Sequence, residues 1–252
     1  MHRQGRIAER VDFSRDGAVL RITFIVPIFN EQMTLEPLVQ AIRDNCAGHA
    51  PRIILVDDGS VDGSKETVDA LEKRIEGIEA VHFARNEGKT AALAKGFSMA
   101  EGEVVFTLDA DLQDDPKEIP RFLAELEKGY DLVCGWKSVR RDPLSRRALS
   151  RCYNWVVGRL FGLALHDVNC GFKAMKLEVA KNLDLRHDYH RLIPVIAANR
   201  GYRVTEIEVK HHARRYGKSK YGLERYWKGL RDVARLWWEL RRERGGHEGA
   251  EQ

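Results

Sequence analysis

Short apolar runs alternate with amphipathic segments through the first half of the chain, and this alternation constrains the fold more than any other feature. The apolar runs lie at 18–29, 52–60, 78–86, 103–113 and 130–137. The segments between them carry apolar residues at helical spacing. Strands that alternate with helices of about 10–15 residues build βαβ units. We therefore expect an α/β fold, with a mostly parallel sheet flanked by helices.

The second half is less regular. We expect a helix at 146–162, a polar turn followed by a helix within 164–183, a further helix at 189–201 and a strand at 202–212. The C-terminal segment 223–252 begins as a basic, aromatic and amphipathic helix. The polar segment 1–17 has no periodic pattern and is predicted to be a flexible leader.

Polar residues follow four of the predicted strands at the point where each strand ends. They occur at 30–31, 57–60, 85–89 and 109–111. In open parallel sheets, ligands bind in the crevice beyond the carboxyl ends of the strands. The sequence therefore predicts that these four groups converge on one crevice.

The segment 107–116, TLDADLQDDP, is the most acidic of these strand ends. Asp109 and Asp111 flank one residue, so in an extended chain their side chains share a face. A hard divalent cation would relieve the repulsion between them, because Mg²⁺ and Mn²⁺ prefer oxygen ligands. Asp114 and Asp115 precede Pro116 and are expected to act as the N-cap of a helix.

The distribution of charge and the spacing of the cysteines indicate what kind of partner the protein binds and in which compartment it functions. Formal net charge is only +4, but residues 201–244 contain thirteen Lys and Arg against six Asp and Glu. Such a segment suits an anionic partner. The four cysteines show no metal-ligand spacing, which favours buried thiols in a reducing compartment. The longest uncharged stretch has nine residues, whereas a membrane-spanning helix needs about 20. We therefore expect no span and a cytoplasmic location.

The motifs VPIFNE, LVDDGS, RNEGKTAAL and TLDADLQDDP, in this order, resemble the family 2 glycosyltransferases with a GT-A (Rossmann-like) fold. The resemblance covers roughly residues 20–222, and it implies a catalytic domain at 18–222. DADLQ, GWKSVRRDPLSRRALS, DVNCGFK, HRLIP and RRYGKSKY resemble the branch that transfers a sugar to a polyprenyl phosphate. Dolichyl-phosphate mannosyltransferases and undecaprenyl-phosphate glycosyltransferases form that branch.

The resemblance implies a role for each matching residue. Those expected to bind the nucleotide sugar are Pro27, Phe29, Glu31, Asp57, Asp58, Lys89, Ala110, Lys137, Arg214 and Lys220. Those expected to be catalytic are Asp109, Asp111, Arg146 and Asp167. The acceptor phosphate is assigned to Arg146 and Ser150, and a Mg²⁺ or Mn²⁺ ion to Asp109, Asp111 and Gln113. Two positions depart from the family pattern, which usually has Tyr at 29 and often Arg at 137.

The activity implied is a metal-dependent, inverting transfer of a hexose from a UDP- or GDP-sugar to a polyprenyl phosphate. A phosphate oxygen is already an anion at neutral pH, so this reaction needs no general base. Arg146 and Ser150 are one helical turn apart and would face the same side of a helix. The enzyme is expected to act at the cytoplasmic face of a membrane as a peripheral protein.

Three alternatives remain open at the sequence level. A soluble or cell-wall sugar acceptor would need a general base, for which Asp167 and Asp114 are candidates. A catalytically silent subunit could bind the nucleotide sugar, although its metal ligands would then have no use. The tryptophans of the C-terminal helix, Trp227, Trp237 and Trp238, suit either a membrane interface or packing on the domain. A nucleic-acid partner is not expected, because the acids at the strand ends would repel it.

Overall fold

The computed structural model describes residues 19–46, 48–138, 144–214 and 224–248. The predicted leader at 1–17 lies outside these residues. The described chain forms three layers, with one sheet between two groups of helices. This arrangement confirms the α/β prediction.

Seven strands form one sheet in the order β3-β2-β1-β4-β6-β5-β7. Their bounds are β1 Arg21–Ile28, β2 Ala50–Asp57, β3 Ile78–His82, β4 Val104–Thr107, β5 Leu132–Trp136, β6 Lys173–Lys176 and β7 Val204–Glu208. Strand β6 runs antiparallel to both of its neighbours, and every other pair is parallel. Strand β1 lies between β2 and β4, and both of its faces are covered, which is why its sequence is almost continuously apolar.

Eight α-helices connect or flank the strands in the described part of the chain. They are α1 Gln32–Asp44, α2 Ser64–Arg74, α3 Lys89–Met99, α4 Ile119–Glu127, α5 Leu144–Phe161, α6 Leu177–Asn182, α7 Ile193–Asn199 and α8 Glu224–Glu248. Apolar residues of α1, α2 and α4 bury one face of the sheet. Residues of α3, α5, α6, α7 and α8 bury the other.

Strand β6 was not predicted. We expected a polar turn followed by a helix at 164–183, but residues 173–176 pair with β4 and β5. The run is only four residues long, and two of them are lysines. All four are buried, and the Lys176 ammonium lies 2.7 Å from an oxygen of Asp131. Because Lys176 is neutralised by a residue far away in sequence, a lysine can occupy this buried strand. The segment therefore has no continuous apolar pattern from which a strand could be predicted.

Helix α8 packs against the domain along one side. Val233 and Leu236 are buried in the same core as Tyr153 and Val157 of α5. On its other side Trp238 is exposed, and the side chain of Trp227 lies outside the described residues. The buried side of α8 agrees with packing on the domain, and the exposed Trp238 agrees with a membrane interface. Within the described ranges, no helix is both long enough and apolar enough to cross a membrane.

Candidate functional site

The loops that follow β1 and β2 are joined by hydrogen bonds at the carboxyl end of the sheet. Asn30 adopts a left-handed conformation, with φ of 53°, and its backbone N–H donates to the hydroxyl of Ser60 at 2.9 Å. The Asn30 side-chain oxygen accepts from the Val61 amide at 2.8 Å. The next residue, Glu31, donates its backbone N–H to Ser64 at 2.9 Å. These bonds make one rim of the predicted crevice.

Asp57 and Asp58 point in different directions from the end of β2. Asp57 accepts the Ser60 amide at 3.0 Å, and its second oxygen lies 3.2 Å from Nδ1 of His82. Asp58 accepts the backbone amides of Glu87 at 2.7 Å and Gly88 at 2.9 Å, in the loop before α3. Burial raises the pKa of Asp58, although these amides oppose the shift. The two carboxylates thus hold together the loops that follow β2 and β3.

Gly59, between these acids and Ser60, cannot carry a side chain. Its φ is 69°, and an added Cβ would lie 2.5 Å from the carbonyl carbon of Arg85. The loops after β2 and β3 therefore approach each other at backbone contact distance.

Asp109 and Asp111 lie just beyond β4, and each meets a cation. Lys89, the first residue of α3, forms an ion pair with Asp109. The backbone of Gly171 packs against the same carboxylate, since a Cβ there would lie 2.6 Å from its Oδ1. Burial raises the pKa of Asp111, and the nearby Asp109 charge raises it further. The two predicted metal ligands are therefore close enough to interact electrostatically.

Arg214 connects two rims of the crevice. Its guanidinium donates to Asp111 at 2.7 Å and to Glu31 at 3.1 Å. Arg214 follows β7, whereas Glu31 follows β1, so this contact spans 183 residues of sequence. Lys220, the other residue predicted in this loop, lies outside the described residues.

The segment between β7 and Arg214 docks along the acidic stretch. The Gln113 side-chain nitrogen lies 3.3 Å from Nε2 of His211 and donates to the carbonyl of His212 at 3.2 Å. The His212 amide donates to the Gln113 carbonyl at 2.8 Å, and its ring lies 3.2 Å from Asp115. The Gln113 amide nitrogen is thus turned towards this segment.

Asp114 does not cap a helix, so that prediction was wrong. Its carboxylate is buried, and the Lys137 ammonium lies 2.8 Å from its Oδ1. Burial alone would raise the pKa of Asp114, but the Lys137 ammonium and the nearby His211 ring hold it well below its usual range. Asp115 alone fills the capping role, because it accepts the Lys117 amide at 3.1 Å. The pairing with Lys137 joins residues 23 positions apart, which no local pattern reveals.

The remaining residues predicted to bind the nucleotide sugar are close in sequence to the residues described above. Pro27 and Phe29 are half-buried at the end of β1, and Ala110 is buried between the two acids. Their neighbours Asp57 and Asp109 lie at the ends of strands on either side of β1.

The acceptor side is only partly described. Ser150 lies half-buried on α5, and the side chain of Arg146 is outside the described residues. Asp167 is buried, and its carbonyl accepts the Cys170 amide at 3.4 Å, which closes the turn before Gly171. That turn also meets β4, since the Thr107 hydroxyl donates to the Gly171 carbonyl at 2.7 Å.

Three histidines at the crevice were not singled out from the sequence. His82 lies between Asp57 and Asp69, and its Nε2 is 2.8 Å from Asp69. His211 and His212 hold the segment after β7 against the acidic stretch. Their position in the sequence could have identified them. They lie at or just after the ends of β3 and β7, which is the edge of the sheet where the acids cluster.

The donor set fits a hard divalent cation. Asp109 and Asp111 supply carboxylate oxygens of the kind that Mg²⁺ and Mn²⁺ prefer. Burial, and then the neighbouring Asp109 charge, raise the pKa of Asp111, and a bound cation would favour its ionised form. Among the described residues, no group of three or more His, Cys, Asp or Glu side chains forms a complete metal cage. A Mg²⁺ ion is commonly held by one or two carboxylates together with substrate phosphates.

Comparisons with known proteins agree with this geometry. Residues 23–199 match the family described as "Glycosyl transferase family 2". A dodecaprenyl-phosphate galacturonate synthase of Rhizobium johnstonii is 38% identical over 237 residues, which cover 90% of this chain and 70% of that protein. An undecaprenyl-phosphate 4-deoxy-4-formamido-L-arabinose transferase of Yersinia enterocolitica is 36% identical over 213 residues, which cover 83% of this chain and 65% of the relative. The chain thus spans about two thirds of the length of these relatives.

Solved structures show the same fold at lower identity. Glucosyl-3-phosphoglycerate synthase from Mycobacterium tuberculosis, in complex with phosphoglyceric acid, superposes with a TM-score of 0.67 at 19% identity. The alignment covers 88% of this chain and 80% of that one. The same synthase with Mn²⁺, UDP-glucose and phosphoglyceric acid gives a TM-score of 0.60 at 19% identity, with coverages of 77% and 72%. At this identity the superposition shows a shared fold.

Proposed function

The chain belongs to the family 2 glycosyltransferases, and from this premise we propose that it transfers a sugar from a nucleotide sugar to a polyprenyl phosphate at the cytoplasmic surface of a membrane. The two relatives support this acceptor, since both enzymes are named for a polyprenyl phosphate. The observation that carries the proposal is the crevice itself. There, Asp109 and Asp111 meet Lys89 and Arg214 beyond the ends of the strands.

The part of the crevice that we assign to the donor contains both acidic and basic side chains. Asp57 lies at the floor, where a carboxylate can accept hydrogen bonds from ribose or base donors. We assign the diphosphate to Lys89 and Arg214, whose cationic groups already lie at the two acids. A Mg²⁺ or Mn²⁺ ion held by Asp109 and Asp111 would supply positive charge to the diphosphate leaving group. The solved complex with Mn²⁺ and UDP-glucose is consistent with this use.

On the acceptor side, the reaction requires positioning rather than proton transfer. We assign the acceptor phosphate to Arg146 and Ser150, which are one turn apart on α5. A phosphate oxygen that is already ionised attacks the anomeric carbon from the side opposite the nucleotide, which inverts that centre. Asp167, in the turn that contacts β4, shapes the space between the two substrates.

The test is a transfer assay with purified protein, Mg²⁺ or Mn²⁺ and undecaprenyl phosphate in detergent. UDP-galacturonic acid, UDP-glucose and GDP-mannose are supplied in turn as radiolabelled donors. We expect label in the lipid phase with one donor, loss of label in Asp111→Asn, and full activity in the matched control Asp184→Asn. Asp184 is exposed and pairs with Arg186, two positions further along the chain.

Two results would contradict the proposal in different ways. Label in a water-soluble product instead of lipid would indicate a soluble acceptor. Donor binding by calorimetry without any transfer would indicate a silent binding protein.

A further inference from the structure

Asp57 and His82 form a cross-strand pair at the carboxyl end of the sheet. Each is the last residue of its strand, and the parallel register of β2 and β3 places them side by side. The Asp57 side chain is only 2% exposed, whereas that of His82, on the edge strand β3, is 23% exposed. The pair therefore joins the surface of the protein to the floor of the crevice.

The imidazole ring of His82 lies between two carboxylates. Its Nδ1 is 3.2 Å from Oδ2 of Asp57, and its Nε2 is 2.8 Å from Oδ1 of Asp69 on α2. A neutral ring has a single N–H donor, so it could donate to only one of these oxygens. Both contacts are hydrogen bonds only when each ring nitrogen carries a proton, which makes the ring a cation between two anions.

These contacts fix the direction in which the Asp57 carboxylate points. Its Oδ1 accepts the Ser60 amide at 3.0 Å, and its Oδ2 faces His82. The Ser60 hydroxyl in turn accepts the Asn30 amide at 2.9 Å, at the rim of the crevice. A carboxylate offers about four lone-pair positions, so about half of them remain for the donors of a ligand.

The contact between His82 and Asp69 suits an orienting role better than a stabilising one. The Asp69 side chain is 43% exposed, and ion pairs at such positions contribute little to stability because water screens them. The same contact fixes the ring, since a hydrogen bond at Nε2 directs Nδ1 towards Asp57. Binding sites depend on such supporting hydrogen bonds, which hold the ligand-contacting side chain in one conformation.

We propose that His82 is a positioning residue for the nucleotide of the sugar donor. Held by Asp69, it keeps the Asp57 carboxylate turned so that its remaining lone pairs meet N–H or O–H groups of the base or the ribose. His82 thus acts through Asp57. The inference rests on the proposed function, which assigns Asp57 to the nucleotide.

The test measures the binding of UDP and of GDP to the full chain by calorimetry in the presence of Mn²⁺. His82→Gln removes the cation between the two carboxylates, and we expect about tenfold weaker binding of the nucleotide that the wild type binds. Asp69→Asn should weaken binding about threefold, because it leaves the ring in place but less firmly held. In the transfer assay both variants should raise KM for the donor and leave kcat within about twofold of the wild type, since neither residue contacts the reacting atoms.

The double variant separates a positioning role from two independent effects. If Asp69 acts through His82, Asp69→Asn should cause no further loss of affinity once His82 is replaced by Gln. Losses that multiply in the double variant would overturn the proposal. Thermal melts follow each protein, and the exposed Asp69→Asn keeps the test valid if His82→Gln folds poorly.

His49→Gln is the matched control. His49 is half-buried like His82, and it lies one residue before β2, at the opposite end of that strand from Asp57. Its Nδ1 accepts the Leu20 amide at 3.2 Å. The same substitution at this position should leave the nucleotide affinity at the wild-type value.

Three further outcomes are informative. If the wild type binds a nucleotide and His82→Gln binds it equally well, whether or not the melting temperature falls, the positioning role is wrong and the proposed function is unaffected. If the wild type binds neither nucleotide, the donor site is wrong and both proposals fail. If His82→Gln weakens binding as expected but no donor yields lipid-linked label, the positioning role stands and the proposed transfer to a polyprenyl phosphate fails.

Discussion

The ion pair between Lys137 and Asp114 allows a quantitative test of what the acidic stretch contributes to the fold. The Lys137 side chain is 12% exposed and that of Asp114 only 1%, with 2.8 Å between Nζ and Oδ1. Lys137→Met keeps the length of the side chain and removes its charge. The Asp114 carboxylate would then stay buried, with Nδ1 of His211 3.8 Å from its Oδ1.

Removing one partner of a buried pair costs about 3–5 kcal/mol, because the other charge remains without compensation. At about 2–4 °C per kcal/mol for a chain of this size, the melting temperature should fall by about 10 °C. Asp114→Asn should cause a similar loss. The double variant leaves two neutral groups, so its loss should be smaller than the sum of the single losses by about 3 kcal/mol. Urea unfolding followed by circular dichroism measures all four proteins.

The pH dependence of the stability is an independent test of whether Lys137 stabilises the ionised form of Asp114. The folded pKa of Asp114 lies below its unfolded value of about 4, so the stabilisation is present above that pH and is lost as the pH falls. The wild type should therefore lose stability below about pH 4 more steeply than Lys137→Met. If Lys137→Met melts with the wild type and loses only nucleotide affinity, the structural reading of this lysine is refuted. It would then act in the donor site, as the family resemblance predicts.

Three other changes test the crevice directly. Arg214→Gln removes two charge-assisted hydrogen bonds, one of them to Asp111, and should weaken UDP binding by calorimetry about tenfold or more; unchanged affinity would contradict the donor role. Gly171→Ala places a methyl group 2.6 Å from Asp109, so we expect about a hundredfold lower transfer rate with little change in melting temperature, and a wild-type rate would contradict the close contact. Asp58→Ala leaves two backbone amides before α3 without their acceptor and should cost about 1–3 kcal/mol in urea unfolding, whereas a neutral effect would count against this loop contact.

The order of helices and strands in the first half was predictable because its pattern is local. Strands such as β1 are almost continuously apolar, and the helices that follow have apolar stripes, so each element can be predicted from its own residues. The location of the crevice followed from one topological rule about parallel strands. For this reason the sequence predicts that Asp57, Asp109 and Glu31 lie at one edge of the sheet.

The features that the sequence did not reveal depend on long-range pairs. Strand β6 is short and includes two buried lysines, one of which is held by Asp131. Asp114 resembles a helix cap in its local context, yet its partner Lys137 comes from the end of β5. Local propensity gave the wrong role because tertiary contacts outweigh it when a carboxylate is buried.

The acidic stretch between β4 and α4 is tolerated because its four carboxylates have four different cationic or potentially cationic partners. Asp109 meets Lys89 of α3, Asp111 meets Arg214 after β7, Asp114 meets Lys137 after β5, and Asp115 meets His212. Each partner comes from a separate part of the fold. The ion pairs therefore connect α3, β5 and the segment after β7 to the loop that follows β4. The outer pair, Asp114 and Asp115, serves structure: one is buried with Lys137 and the other caps the turn at 116–118. We propose that the inner pair, Asp109 and Asp111, serves the donor site, because its partners Lys89 and Arg214 are cations that a diphosphate can recruit. On this proposal the four acids divide into two that hold the site together and two that take part in binding.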